Sequence, residues 1–109
     1  MKMERKFLIF CYDAHLLGEM EKTMEILGYQ GKYIFIKHDK DTDEIAVHYH
    51  IYFESNVRIR ISTVERIFRR NVSSKVFVKI VKTSRDNIVK YMLNDKYTKE
   101  DIVTNIDNL

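Results

Sequence analysis

The seven residues HYHIYFE, 48 to 54, decide how the rest of the chain is read. Successive side chains of a β-strand point to opposite faces. That puts His48, His50 and Tyr52 on one side, and Val47, Tyr49, Ile51 and Phe53 on the other. The second set is an ordinary buried face, whereas two imidazoles on the first call for a purpose. A β-branched and aromatic run at 32 to 38 precedes this strand across the acidic, turn-rich KDTDE of 40 to 44. Folded as a hairpin, the two runs bring His38 and either Asp39 or Asp41 near His48.

Working outward, the pattern predicts strands at 6 to 12, 32 to 38, 46 to 54 and 74 to 81, with helices at 14 to 27, 62 to 70 and 85 to 95. The first helix carries Leu16, Met20, Met24 and Leu27 at helical spacing, with Gly28 placed as its C-terminal cap. The second opens with STVE, where Ser62 and Glu65 fit a capping box ahead of Val64, Ile67 and Phe68. The order βαββαβ plus a last helix implies an α+β fold. We expect a ferredoxin-like (RRM-like) antiparallel sheet with helices packed on one face and the other face open for metal and ligand. With 109 residues, no proline, no repeat and no linker, the whole of 1 to 109 reads as one domain.

Composition narrows the function. The single cysteine, Cys11, excludes an internal disulfide and fits a reducing cytoplasm. The longest apolar run, FLIFCY at 7 to 12, is far short of a membrane span, and MKMERK lacks a signal-peptide pattern. Charge is unevenly spread. Residues 56 to 90 hold 10 Lys and Arg against 2 acidic residues, a local net charge of +8 in a chain whose total is +3. A basic middle third of this density suits a polyanion, with nucleic acid the commonest. The plainer reading is a solvated basic surface.

Two elements carry chemistry. Neutral imidazoles at i and i+2 lie roughly 6 to 7 Å apart along a strand and can converge on one divalent ion. With a carboxylate nearby, such a site prefers Mn²⁺ or Mg²⁺. Zinc is the rival occupant, but one distant cysteine speaks against a closed structural zinc site. His38 alternatively reads as a turn residue solvated beside Asp39 and Asp41. In the helix RDNIVKYMLND, 85 to 95, Ile88, Val89, Met92 and Leu93 form the apolar stripe. Tyr91 falls outside it, in a polar row with Asn87 and Asn94, so its phenol is presented and not buried.

On these residues the sequence resembles a known family. HDKDTDEIAVHYHIYFE, 38 to 54, is similar to the histidine-hydrophobic-histidine stretch of small rolling-circle plasmid replication initiators of the HUH endonuclease superfamily. FLIFCYD, 7 to 13, resembles their first motif, and NIVKYMLND, 87 to 95, their tyrosine-bearing third. Eukaryotic-virus and geminivirus-type initiators share this motif order, and the likeness runs from about residue 6 to residue 97. The resemblance implies His48, His50, His38 and Asp41 as ligands of Mn²⁺ or Mg²⁺, and Tyr91 as nucleophile. Asn94 departs from the family, which usually has Lys or His there; Lys90 and Lys96 are the nearest cations. Many relatives also carry a helicase or oligomerisation domain, so this chain is expected to be a nuclease domain of a longer protein or a minimal form. A helicase or a second copy is the corresponding partner.

The implied reaction is nicking and joining of single-stranded DNA at an origin stem-loop, with Tyr91 left as a 5′-phosphotyrosine and a 3′-OH released. Such a covalent link conserves the bond energy, so a 3′-OH can later reverse the step. Arg58, Arg60, Arg69, Arg70, Lys79, Lys82 and Lys90 are candidate backbone contacts, and Tyr52 is read as an exposed stacking ring. The setting is the cytoplasm of a prokaryotic host, or a host-cell replication site, with no membrane partner. The alternative is a non-catalytic RRM-like module that binds single-stranded nucleic acid on strand aromatics.

Overall fold

Alternation of apolar and polar residues produces the strands of the sheet in a computed structural model that describes residues 3–12, 22, 23, 25, 27, 30–38, 48–72, 75–107 and 109. Strand β1 is Met3–Tyr12, β2 Gly31–His38 and β3 His48–Arg60. Helix α1, Ile61–Asn71, follows without a loop, then β4, Lys75–Ile80, helix α2, Arg85–Leu93, and β5, Ile102–Thr104. The sheet order is β4-β1-β3-β2-β5, and each neighbouring pair is antiparallel. Antiparallel strands with β3 threaded between β1 and β2 are the split arrangement expected of a ferredoxin-like fold. The hairpin of β2 and β3 is in the predicted register, with His38 opposite His48.

The pleat sorts side chains into two cores. On one face Phe7, Ile9, Cys11, Phe35, Tyr49, Ile51 and Phe53 pack against Val64 and Phe68 of α1. On the other, Leu8, Ile34, Ile36 and Tyr52 pack against Ile88, Val89 and Met92 of α2. The α2 stripe is the one its helical spacing predicts. Cys11 belongs to the α1 side, where burial pushes its thiol up to about 12, so it remains a protonated apolar filler.

Several details differ from the sequence reading. Ser62 does not cap α1: the helix begins at Ile61, its N-cap is Arg60, and no side chain caps it. The cause is that β3 runs on to residue 60, six positions beyond the predicted end, and passes straight into the helix. Tyr52 is fully buried under α2 and offers no stacking surface. The chain after α2 forms β5, which had no strand-like pattern of its own. Thr104 Oγ1 donates to the Tyr33 carbonyl, Tyr33 N–H donates to Asn105 Oδ1 at 2.8 Å, and Asn105 Nδ2 donates to the Gly31 carbonyl at 3.0 Å. The helix predicted over 14 to 27 lies mostly outside the described residues. Within it Lys22, Thr23, Glu25 and Leu27 are helical, and Leu27 is buried in the α1-side core. Leu16, Met20, Met24, Gly28, Asp39, Asp41, Val47 and the 40 to 44 turn also lie outside the described residues. No helix among the described residues is long and apolar enough to cross a membrane.

Where β3 leaves the ladder, it makes room by bulging. Lys6 pairs with Glu54 but Glu4 pairs with Ile59, so residues 55 to 58 protrude opposite a single β1 position. Gly31 faces the start of this bulge, and a Cβ there would run into the Glu54 carbonyl. Backbone cannot retreat as a flexible side-chain tip can. Gly31→Ala is therefore expected to lose about 1–3 kcal/mol in urea unfolding, the usual cost of overpacking.

Candidate metal centre and its tyrosine

Strand register lays three rows across the α2 face. The first runs Lys75, Tyr12, His48, His38; the second Phe77, Phe10, His50, Ile36, Ile102; the third Lys79, Leu8, Tyr52, Ile34, Thr104. Helix α2 packs on residues of β1, β2 and β3, and the open part of the face lies beside it, lined by Phe10 and Tyr12 of β1 and by Phe77 and Lys79 of β4. The histidines sit where covered and open halves meet. His38, His48 and His50 are all buried, and one candidate ligand nitrogen from each lies within 4.8 Å of the others.

Each ring is wedged by aromatic neighbours. His38 stacks on His50 at 3.8 Å between centroids and on Tyr97 at 4.5 Å. His48 stacks on Tyr12 at 5.2 Å, and Phe10 meets His50 edge-on at 4.8 Å. A backbone carbonyl only accepts, so the 2.8 Å contact of His38 Nε2 with the Met92 carbonyl makes that nitrogen the donor. Nδ1 of His38 is then the lone-pair nitrogen, oriented by a hydrogen bond from its other side as metal-bound imidazoles usually are. The three imidazole nitrogens are close enough together to converge on a single divalent ion. Three neutral nitrogens also form a donor set that a divalent transition ion accepts more readily than Mg²⁺ does.

Tyr91 comes to this cluster from α2. Its side chain is 53% exposed, and its ring lies 5.9 Å from that of His50 at an interplanar angle of 24°. The helix is held at both ends. Ser84 caps its start by accepting from Asn87 N–H at 3.2 Å. Its end turns on two left-handed residues, Asn94 (φ 48°) and Asp95 (φ 57°). Asn and Asp tolerate this conformation better than other non-glycine residues, which explains why position 94 is Asn rather than a lysine. The turn carries Tyr97, 6% exposed, back over His38. Tyr97 is thus a packing ring beside the histidines, while Tyr91 is the presented phenol.

A second device joins helix α2 to strand β3. Arg85, the first residue of α2, donates to both Glu54 oxygens at 3.0 and 2.7 Å, and the Tyr52 hydroxyl donates to the same carboxylate at 2.6 Å. The clamp ties the helix of Tyr91 to the strand of His48 and His50. Burial, with the bond to Glu54, raises the Tyr52 phenol well above its ordinary range, so it stays protonated. The Arg85 hydrogen bonds hold the Glu54 carboxyl below its usual value, Tyr52 assisting. A depressed carboxylate contributes stability in full above its unfolded pKa of about 4.3, and that contribution fades as pH falls through the folded value. Glu54→Gln is expected to cost about 1 kcal/mol at pH 7, allowing for the partial exposure of the pair. The same variant should cost less at pH 3; thermal melts at both values check this.

The basic candidates are dispersed. Lys79 alone among them lines the open half, its ammonium 5.8 Å from the Phe10 ring centroid. Lys90 is exposed on α2, and Arg58 lies beside Arg5 and Lys6 near the β3 bulge. Lys82 pairs with Glu4 at 3.4 Å. Arg60 is exposed at the N-cap of α1, and Arg69 and Arg70 sit in its last turn, on the helix packed behind the sheet, with Arg69 paired to Glu65 at 3.2 Å. The sequence reading missed Phe77 and Glu54–Arg85. Phe77 could have been found, because it breaks the alternation of Val76, Val78 and Ile80 by placing an apolar ring on the solvent side. The Glu54–Arg85 pair, 31 residues apart, leaves no local signal.

The fold and site define a class: an antiparallel α+β domain whose partly open face gathers three buried histidines and a presented tyrosine. Comparison with known families agrees and goes further. The chain belongs to the origin-binding domains of plasmid replication proteins, whose family model matches residues 1–107. No curated protein matches the chain. Its role accordingly lies in replication initiation, at the DNA of a plasmid origin.

Proposed function

We propose that this domain nicks and rejoins single-stranded DNA at the origin, as rolling-circle initiators of the HUH type do, through a transient 5′-phosphotyrosine on Tyr91. The observation that carries the reading is the exposed Tyr91 ring beside His50 in a cluster of three candidate metal ligands. An unpaired strand crossing the β1–β4 half passes over this cluster, and the Tyr91 oxygen attacks the scissile phosphorus. The phenolic proton is lost to solvent, the P–O3′ bond breaks, and the departing 3′ oxygen takes a proton from solvent to leave as a hydroxyl. Attack of a 3′-OH on the phosphotyrosine runs the step backwards and reseals a strand. His38, His48 and His50 would hold the ion, with Mn²⁺ favoured over Mg²⁺; Asp41 is proposed as an added oxygen ligand. When bound, the ion supplies Lewis-acid neutralisation of the phosphate charge.

The test incubates the protein with a labelled origin stem-loop oligonucleotide and Mn²⁺, then resolves it on a denaturing gel. A labelled band at the protein's mass supports the proposal. Cleavage without any adduct points to water as nucleophile, and binding without cleavage leaves the non-catalytic RRM-like module. The burial of Tyr52 counts against that second reading, because it removes one of the strand aromatics that would stack bases.

A further inference from the structure

Beside the histidines, a cavity of about 380 Å³ is lined by Phe10, Tyr12, Phe77, Lys79 and Tyr91. Its position follows from register, since Phe77 stands opposite Phe10 on β1, and Lys79 and Lys75 flank it on the same side of β4. Four of the five linings are aromatic and the fifth is a cation. Phe77 is 60% exposed, belongs to neither core, and faces the cavity together with Phe10, Tyr12 and Tyr91. Tyr12 meets it edge-on at 5.8 Å.

We infer that this cavity is a subsite for one unpaired base of the origin strand, the base next to the phosphate presented to Tyr91. Aromatic faces stack any base, and a lysine beside them pairs with the backbone that links one base to the next. The volume sits at the small end of ligand pockets, which suits a single nucleotide and not a folded peptide element. Tyr91 forms one wall, so a base seated here leaves its neighbouring phosphate at the phenol. Phe77 stacks the base, Lys79 takes the phosphate, and both lie outside the ligand cluster. The inference rests on the nicking reading only for which phosphate is flanked; stacking itself requires no reaction.

The test is equilibrium binding of a fluorescent oligothymidylate carrying one 2-aminopurine, by anisotropy and by base quenching, without metal. Phe77→Ala is expected to weaken binding about 5- to 150-fold, the range for losing one stacked base. Phe77→Tyr, which keeps a ring, should stay within about twofold of the parent, so folding and stacking are separated. Lys79→Ala should lower the slope of log affinity against log salt by about 0.7, one phosphate contact on a single strand. Unchanged affinity and quenching in Phe77→Ala would overturn the subsite, whatever the adduct gel shows. Loss of binding in Phe77→Ala with no adduct from the parent protein would keep the subsite and remove the nicking reading.

Discussion

Tyr91→Phe is expected to remove the DNA-linked band entirely, a loss of about 10³-fold or more, if Tyr91 is the covalent nucleophile proposed above. The substitution takes away one oxygen and leaves the ring on His50, so the face keeps its shape. Mn²⁺ affinity and oligothymidylate affinity therefore stay close to those of the parent, and the melting temperature moves little because the phenol is already exposed. Tyr97→Phe is the matched control. That ring is buried on His38, and its variant should still form the adduct. If Tyr91→Phe remains competent and Tyr97→Phe does not, the roles assigned here are reversed and the α2 reading is lost.

Replacing His50 by Ala is the second large effect, and it is read without any DNA. Loss of a supporting partner behind a metal ligand already costs about 10- to 100-fold in affinity, so loss of a ligand itself should exceed about 100-fold. Isothermal titration with Mn²⁺ measures this directly. A melt gives an independent readout: the parent gains about 2.7 kcal/mol of stability at a Mn²⁺ concentration 100 times its Kd, and the variant gains almost nothing at that concentration. His48→Ala should behave alike. Equal Mn²⁺ stabilisation of the parent and both variants would dismiss the three-histidine centre.

How much of this was legible beforehand follows from the range of each interaction. The hairpin, the opposed His38 and His48, and the apolar stripe of α2 are local patterns of period 2 or 3.6, visible in a short window. So was the exposure of Tyr91, since a helical wheel assigns both faces once the stripe is known. Ser62 misled because its capping pattern is real in composition, while pairing with β1 carried β3 past it. Tyr52 misled because alternation gives a side of the sheet but not what covers it. Strand β5 was invisible because three residues at an edge are held by Asn105 and Thr104, both contacts some 70 residues away in sequence.

The chain alone therefore determined which residues share a face, the order of elements from β1 to α2, and that three histidines and a presented tyrosine are the candidates for chemistry, because alternation and helical spacing are written into neighbouring residues. Only the tertiary structure decided that α2 crosses to the histidine side, clamped by Arg85 on Glu54, and that half of that face stays open above Phe77. Those outcomes depend on long-range packing between surfaces, each of which a local pattern leaves equally apolar. The site exists where two such choices meet, and no single segment contains that information.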